Sequence, residues 1–412
     1  ELDGEPVSTS EMYIFYMPGE VITLTAHFQE RIYVDYFRVE YVEGGDIPDQ
    51  VAGLSFFIEI SAINQLGQVE EDFVGPVELF TNNTFSPQTQ TTTEFFTEGS
   101  VYHEVALTQA GSVTNTITAF YQDPEQTVAG NSSMFYVAPG AADVLQVIGP
   151  DTIIAGFTSD IITLSVHDAY GNPTTVNETT AFRPSVNREG TTARINGGQI
   201  WPWTRINVAA GEGSVDFDYM NTRIGNGSHI ITLRGMTGDD GVLGEHNEVH
   251  HEVVVIADDP VAENSLIGVE PSEIVANGVS TASVTMTLRD QYNNLVRDPN
   301  AEIFLTQPAA GSIAEAFFVP AEDAYVAVLT SGIEATTVSV TAYLGTSADD
   351  PAIGTVYVDF VAGETDAEQS TIHADPEQII ANGNSTTDII VTLYDANGNL
   401  ITHGGEPVYL NR

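Results

Sequence analysis

The residues with the clearest potential for chemistry are three small groups, of which the first is rich in histidine. Alternate residues of an extended strand share one face, so His246, Glu248 and His250 are expected to lie on the same side and could ligate a metal ion. We favour the simpler interpretation, in which they are exposed side chains on the last strand of a domain.

The second group is the pair Trp201-Pro-Trp203, which lies in a longer segment, 183–213, together with four of the 11 arginines. Paired indoles can stack on sugar rings or dock a neighbouring domain or subunit. The sequence therefore predicts a ligand-binding loop made of Trp201, Trp203, Arg194 and Arg205. Local packing of the two indoles is the alternative.

The third group consists of carboxylates, which are the ligands that Ca²⁺ prefers. Asp395-Ala-Asn397-Gly-Asn399 begins like a calcium loop but lacks the glycine at the sixth position and the glutamate at the twelfth, so it is interpreted as a turn. No cofactor is predicted. The candidate position for Ca²⁺ is at the domain junctions, and solvated acidic linkers are the simpler interpretation. The candidate ligands are Asp258, Asp259 and Glu263 at one linker, and Glu364, Asp366, Glu368, Asp349 and Asp350 at the next.

Composition excludes several function classes. The 412 residues include 58 acids against 11 cations, a net charge of −47, and neither lysine nor cysteine. Such a polyanion is not expected to bind nucleic acid or anionic lipid. It has no thiol or lysine nucleophile, no Gly-x-Ser-x-Gly and no His-Glu-x-x-His, so we predict that it is not an enzyme. No apolar run approaches the ~18 residues of a membrane span, so no membrane insertion is expected.

The elements that must position these residues are short strands. Hydrophobic residues make up 42% of the chain and aromatic residues 9%, enough to form cores. Segments such as 283–288 and 388–393 are rich in β-branched residues and are bounded by Asn-Gly and Asp/Asn/Gly turns. Several such strands per ~100 residues predict an all-β fold of tandem β-sandwiches.

A repeat divides the chain. Pro271–Gly278 matches Pro376–Gly383, and the match continues at Asp290–Asn294 and Asp395–Asn399. In the Asp-x-x-Gly/Asn element, the carboxylate caps a turn that needs a residue tolerant of positive φ. Earlier copies of the same pattern lie at 149–172 and, more weakly, at 60–68.

The repeat predicts three complete sandwiches between two half-domains. The complete units are expected at 44–139, at 140–257 with an insertion at 183–213, and at 258–364. Residues 1–43 contain only a back half: Gly19–Ala26 is similar to Val338–Ala342, and Phe37–Tyr41 is predicted to be its closing strand. Residues 365–412 contain only a front half.

Pro-x-x-Ile-Val-Ala-Asn-Gly at 271–278, followed by a Ser/Thr pair, an alternating strand and an Asp-x-x-Gly/Asn-Asn turn, resembles the bacterial immunoglobulin-like repeat of invasin and intimin. The resemblance implies an elongated array of immunoglobulin-like domains at a bacterial cell surface. It also implies an extracellular structural role, as a stalk or filament subunit of an adhesin, with neighbouring repeats as partners. The alternative function is a module that binds a carbohydrate or a receptor on a host or neighbouring cell through the Trp201/Trp203 loop.

The half-domains have two interpretations. In one, the sequence is a window of a longer tandem array. In the other, subunits assemble head to tail as a homopolymer, and the strands of one terminal half complete the other half in the next subunit. Half of a sandwich leaves unpaired strand edges, which motivates the second interpretation.

Overall fold

The computed structural model describes residues 33–124, 126–187, 192–236, 248–405, 407–409 and 411. Over these residues the chain forms β-strands joined by turns, with one short 3₁₀ helix at Ala262–Asn264. The prediction of an all-β fold of tandem sandwiches is confirmed. None of the helical structure in this described part is long and apolar enough to cross a membrane.

The first sandwich surrounds a core of buried residues between Val34 and Val137. Five phenylalanines, at positions 37, 56, 73, 96 and 135, are among its buried side chains. Three small sheets, ordered β1-β3-β5, β2-β9-β6 and β4-β7-β8, enclose the core. The strands are β1 (Val34–Tyr41), β2 (Gln50–Val51), β3 (Phe56–Asn64), β4 (Glu78–Thr81), β5 (Ser100–Val105), β6 (Gly111–Asn115), β7 (Ile117–Gln122), β8 (Thr127–Asn131) and β9 (Phe135–Ala138).

Strand β1 lies in a different domain from the one predicted. It pairs antiparallel with β3 over Val34–Tyr41, and its Phe37 and Val39 are buried in the first core. The prediction that Phe37–Tyr41 closes a preceding half-domain is therefore wrong, and the first sandwich begins at about residue 34 rather than 44. Alternation of apolar side chains identified a strand here, but it could not decide which sheet the strand joins. The rest of the predicted N-terminal half lies outside the described residues.

The second sandwich packs three-stranded and five-stranded sheets, β10-β12-β17 and β11-β20-β19-β13-β16, around buried residues from Leu145 to Val255. A further small sheet, β15-β14-β18, lies beside them. The strands are β10 (Val144–Ile148), β11 (Thr152–Ile154), β12 (Ile162–His167), β13 (Thr180–Val186), β14 (Arg194–Ile195), β15 (Gly198–Gln199), β16 (Ile206–Val208), β17 (Ser214–Phe217), β18 (Tyr219–Met220), β19 (His229–Met236) and β20 (Glu248–Ile256).

The predicted insertion at 183–213 is only partly an insertion. Its two ends are regular strands of the five-stranded sheet, because β13 and β16 pair through the register Thr180↔Val208 to Phe182↔Ile206. Between them, the described residues form the β14–β15 hairpin and a turn that carries the two tryptophans.

The third sandwich has the same plan, with sheets β21-β23-β27-β25 and β22-β29-β28-β24 around a core from Ile274 to Phe360. A long hairpin, β30–β31, follows it. The strands are β21 (Leu266–Glu270), β22 (Glu273–Val275), β23 (Thr281–Thr287), β24 (Ile303–Leu305), β25 (Ser312–Ile313), β26 (Phe317–Val319), β27 (Ala324–Thr330), β28 (Thr336–Leu344), β29 (Ala352–Val361), β30 (Thr365–Asp375) and β31 (Asp388–Asp395).

Candidate functional sites at the domain junctions and the tryptophan turn

A buried aspartate and an asparagine four residues later stand at each of three domain junctions, and we call this pair the junction motif. At the first junction, Oδ2 of Asp168 accepts hydrogen bonds from the main-chain N–H of Gly140 in the linker and from Nδ2 of Asn172, both at 2.8 Å. The Asn172 amide also contacts the first sandwich. Its Nδ2 donates to the Thr108 carbonyl at 2.8 Å, and its Oδ1 accepts from the Ala110 N–H at 2.9 Å.

The second junction repeats this arrangement. Oδ2 of Asp290 accepts from the linker N–H of Asp258 at 3.2 Å and from Nδ2 of Asn294 at 2.7 Å. Asn294 donates to the Thr222 carbonyl at 2.8 Å and accepts from the Ile224 N–H at 3.3 Å. Asp290 is completely buried, so its carboxylate has exchanged water for these donors.

The third junction joins the third sandwich to the β30–β31 hairpin in the same way. Oδ2 of Asp395 accepts from the Gly363 N–H at 2.9 Å and from Nδ2 of Asn399 at 2.8 Å. Asn399 donates to the Ile333 carbonyl at 2.9 Å and accepts from the Ala335 N–H at 2.7 Å. A buried polar network with all its groups satisfied fixes one arrangement of the parts it joins.

The contacts lie at opposite ends of each sandwich. In the second sandwich, β12 runs from the turn around Gly156, which faces the third sandwich, to Asp168, which faces the first. In the third, β23 runs from the turn at 276–278 to Asp290. Because a strand rises about 3.3 Å per residue, these sites are separated by the length of the domain. The sandwiches are therefore joined end to end.

The other carboxylate oxygen of each motif caps the turn. Oδ1 of Asp168 accepts from the Tyr170 and Asn172 N–H groups, both at 2.9 Å. Burial raises the pKa of Asp168, but the hydrogen bonds from Asn172, Gly140 and Tyr170 outweigh it and hold the pKa below its ordinary value. For Asp395, burial likewise raises the pKa, and the bonds from Asn399, Gly363 and Asn397 reverse the effect.

These pKa shifts predict how the junctions respond to acid. The pKa of Asp168 is lower in the folded state than in the unfolded chain, so its contribution to stability is complete above the unfolded pKa, about 3.9, and is lost as the pH falls through the folded value. We expect the first junction to stay closed from neutral pH to about pH 4 and to open in stronger acid. Interdomain distances measured against pH by pulsed electron paramagnetic resonance test this. In Asp168→Ala the junction should be open at every pH. Opening of the native junction between pH 7 and 5 would contradict the prediction.

Sequence reasoning identified the turn but not the junction. The predicted cap is present, since Oδ1 of the aspartate accepts the turn N–H groups at each motif. The missed signal is the repeated asparagine at the fifth position (Asn172, Asn294 and Asn399), because capping the turn does not require an amide there. In Asp395–Asn399, which the sequence analysis interprets as a turn, both carboxylate oxygens of Asp395 accept N–H groups.

The structure does not bring the candidate calcium ligands together. In the part of the chain that the structure describes, no group of three or more His, Asp or Glu side chains could hold a metal ion. Asp349 and Asp350 precede β29 and Glu364 follows it, so the ten residues of that strand, about 33 Å, separate them. The expectation that they face one junction is wrong.

The remaining acidic candidates have local roles or lie in solvent. Oδ2 of Asp258 accepts from Gln291, and Oδ1 of Asp366 caps the N–H groups of Glu368 and Gln369. Asp259 and Glu263 are exposed. Binding of Ca²⁺ at the linkers stays a prediction from the sequence, to be tested by calorimetric titration.

The histidine cluster is engaged by its neighbouring strand. Glu248 and His250 share a face of β20 as expected, with His250 Nε2 3.4 Å from Glu248 Oε1. Glu248 forms an ion pair with Arg234, and His250 Nδ1 hydrogen-bonds Thr232 at 2.9 Å. His246 lies outside the described residues.

The two tryptophans form an exposed stack. The rings of Trp201 and Trp203 are parallel within 6°, with centroids 5.3 Å apart, and the side chains are 45% and 70% exposed. Arg205 supports the turn, since Nη1 donates to the carbonyls of Pro202 and Thr204 at 2.9 and 2.8 Å. Arg194 lies on β14, paired in register with Gln199 and Met220. Of the predicted loop, the structure joins Trp201, Trp203 and Arg205 in one turn.

Part of the chain matches the model of a known protein family. Residues 261–363 and 366–411 match the family model of invasin, domain 3. No curated protein matches the chain.

The solved structures that match include that of invasin, a bacterial integrin-binding protein, at 18% identity over 79% of this chain and 59% of that one, with a TM-score of 0.37. The Escherichia coli adhesin FdeC matches at 16% identity over 81% and 100%, with a TM-score of 0.36. InvD of Yersinia pseudotuberculosis matches at 17% over 63% and 71%, with a TM-score of 0.38. The chain thus spans 59% of the invasin structure. The predicted resemblance is confirmed over residues 261–363 and 366–411, which are similar to invasin domain 3.

Proposed function

We propose that the chain is part of the extracellular stalk of a bacterial surface adhesin and holds a neighbouring module away from the cell. The observation that carries the proposal is the junction motif, which joins consecutive domains three times with the same donors and acceptors. The match to invasin domain 3 supports the adhesin context. A net charge of −47 supports separation of adjacent stalks, since like-charged rods repel. The role is mechanical rather than enzymatic.

Stiffness of the junctions tests this function. The chain has no cysteine, so two introduced cysteines label it at two chosen points only. We expect narrow nitroxide distance distributions between the first and second sandwiches and between the second and third. Broad distributions in the native chain would mean freely jointed domains and would refute the stalk function. Electron microscopy of the native material then distinguishes isolated rods from continuous filaments.

A second function, carbohydrate or receptor binding, is favoured by the exposed tryptophan stack. Most of Trp203 lies in solvent although the turn around it is held by hydrogen bonds, an arrangement that suits stacking on a sugar ring. If this site binds a glycan, Trp203→Ala should abolish the binding on a glycan array, because stacking of the sugar ring on the indole face is the main contact of the site. Tyr357→Ala, which removes another exposed aromatic from the third sandwich, is the control. Equal binding by both variants would exclude the site.

Head-to-tail assembly is the finer form of the stalk proposal, and the face of the β30–β31 hairpin supports it. Ile379 and Ile389 are 48% and 45% exposed, whereas Ile274 and Val284, at the equivalent positions of the third sandwich, are 7% and 0% exposed. In the third sandwich, the sheet containing β28 and β29 supplies part of the same core. We propose that residues 1–32 of a second copy cover the hairpin, because 19–26 is similar in sequence to part of β28.

Sedimentation of the full chain tests this assembly. We expect a concentration-dependent series of oligomers, and we expect loss of the series on removal of residues 1–32, since β1 is already used by its own sandwich. Ile389→Ser should weaken the assembly without disturbing the three complete cores. A full chain that is monomeric at all concentrations, or oligomers that persist without residues 1–32, would contradict the proposal.

A further inference from the structure

The three junctions differ in the middle residue of their motifs. This residue is Tyr170 at the first junction, Tyr292 at the second and Asn397 at the third. The flanking aspartate and asparagine make the same contacts in all three. The middle residue is therefore where one junction can be distinguished from another.

The tyrosines lie on a glycine of the preceding sandwich. A Cβ atom placed on Gly53 would be 2.1 Å from Cε2 of Tyr170, and one placed on Gly156 would be 2.1 Å from Oη of Tyr292. Each glycine also has a positive φ, +79° and +84°. The tyrosine junction thus requires a glycine directly under the ring.

The asparagine junction receives its neighbour on a different turn. The N–H groups of Gly53, Gly156 and Gly278 donate to the carbonyls of Leu107, Asn221 and Gly332, so these three glycines are equivalent. Ala52 and Ala155 directly precede the first two, but Asn277 is inserted between Ala276 and Gly278.

The inserted residue changes what the turn presents to its neighbour. Nδ2 of Asn397 donates to the carbonyl of Ala276 at 2.9 Å. A Cβ on Gly278 would meet nothing closer than Ile333 Cγ2 at 3.5 Å, so no ring lies on this glycine. Asn277 itself folds the turn, since its Oδ1 accepts from the N–H groups of Val279 and Ser280 at 3.0 and 2.8 Å.

We propose that the middle residue and the receiving turn form a matched pair that selects which repeat can dock on which. A turn of the form Ala-Gly accepts Asp-x-Tyr-x-Asn, and a turn of the form Ala-Asn-Gly accepts Asp-x-Asn-x-Asn. The inference rests on the proposed stalk function and adds the rule that orders its domains.

The last repeat extends the rule beyond the three junctions. Its turn Ala381-Asn382-Gly383 is of the second form, with Asn382 Oδ1 accepting from the N–H groups of Asn384 and Ser385 at 2.9 and 2.8 Å, as Asn277 does. The rule predicts that a repeat with the asparagine motif fits this turn.

Exchanging the matched residues in the full chain tests the rule. Asn397→Tyr should broaden the nitroxide distance distribution across the third junction and make the Ala335 N–H exchange about tenfold faster, the factor expected for loss of one hydrogen bond. Deleting Asn277 in the same chain should restore both, because it recreates the Ala-Gly turn. Tyr292→Asn should loosen the second junction and leave the third unchanged.

Each outcome is decisive. If Asn397→Tyr leaves the third junction as narrow as in the native chain, or if deletion of Asn277 fails to restore it while the third core unfolds normally, the matched pair is refuted. In that case a native chain with narrow junction distances would still support the stalk function. Broad junctions in the native chain itself would refute the stalk function first.

Discussion

Replacing Asp290 by alanine is expected to separate the second sandwich from the third and to lower the free energy of unfolding by about 3 kcal/mol. The carboxylate is fully buried and accepts from the N–H groups of Asp258, Tyr292 and Asn294 and from the Asn294 side chain. Without it these donors have no partner, and water can reach them only if the junction opens. The unpaired donors lower the stability, and their need for water opens the junction.

Two measurements are needed, because the variant should change both stability and geometry. Denaturant unfolding gives the free energy, and the nitroxide distance across the second junction gives the opening. Asp290→Asn should fall between the native chain and the alanine variant, since the amide keeps one oxygen acceptor but faces the remaining donors with an NH₂ group. Asp290→Asn is expected to lower the free energy of unfolding by more than a surface substitution does.

The matched control is Asp323→Ala in the same sandwich. Asp323 forms an ion pair with Arg297, with Oδ1 2.8 Å from Nε, but the pair is solvent-exposed. Exposed ion pairs contribute little, and alanine at the positive φ of this residue, +52°, adds a strain of at most about 1 kcal/mol. We therefore expect a loss of stability well below that of Asp290→Ala and no change at the junction. Equal effects of Asp290→Ala and Asp323→Ala would mean that the buried contacts do not hold the domains together.

Much of the fold follows from local patterns. Alternating strands such as 283–287 predict sheets with one buried face, because the period of side-chain burial in a strand is two. The repeat of 271–278 at 376–383, 105 residues later, predicts that the sandwiches are arranged in tandem. The assignment of β1 failed because alternation specifies which face of a strand is buried and not which sheet it joins. The prediction that Asp349 and Asp350 face the same junction as Glu364 was wrong for a related reason. The position of their loop depends on the direction of β28 and β29, which local alternation does not specify.

The junction motif shows what a single sequence contains but does not disclose by pattern alone. Asp168 and Asn172 are recognisable as a turn, and that part of the interpretation holds. The contact with Thr108 joins residues 64 positions apart, and no local pattern encodes it. The contact between domains could have been inferred only from two facts together. An asparagine that the turn does not require recurs at the fifth position of each motif, and the linkers are short.

The glycines beneath the junctions provide the second large prediction. Gly156→Ala should destabilise the second junction by about 3 kcal/mol, since a Cβ there meets the Tyr292 ring and an alanine must adopt a φ of +84°. Gly278→Ala carries the strain of positive φ, +78°, without a clash, and should cost about 1 kcal/mol. Denaturant unfolding compares the two variants directly.

The clash can be separated from the strain by removing the ring. In the background of Gly156→Ala, Tyr292→Ala should cost much less than it does in the native chain, because the ring that it deletes is already displaced. The strain of positive φ would remain in both. Additive losses from the two substitutions would show that the ring does not rest on Gly156, and equal losses from Gly156→Ala and Gly278→Ala would show that backbone strain alone sets the requirement for glycine. If the Tyr292 ring rests on the turn, we expect non-additive losses of unfolding free energy from Gly156→Ala and Tyr292→Ala. We also expect a larger loss from Gly156→Ala than from Gly278→Ala.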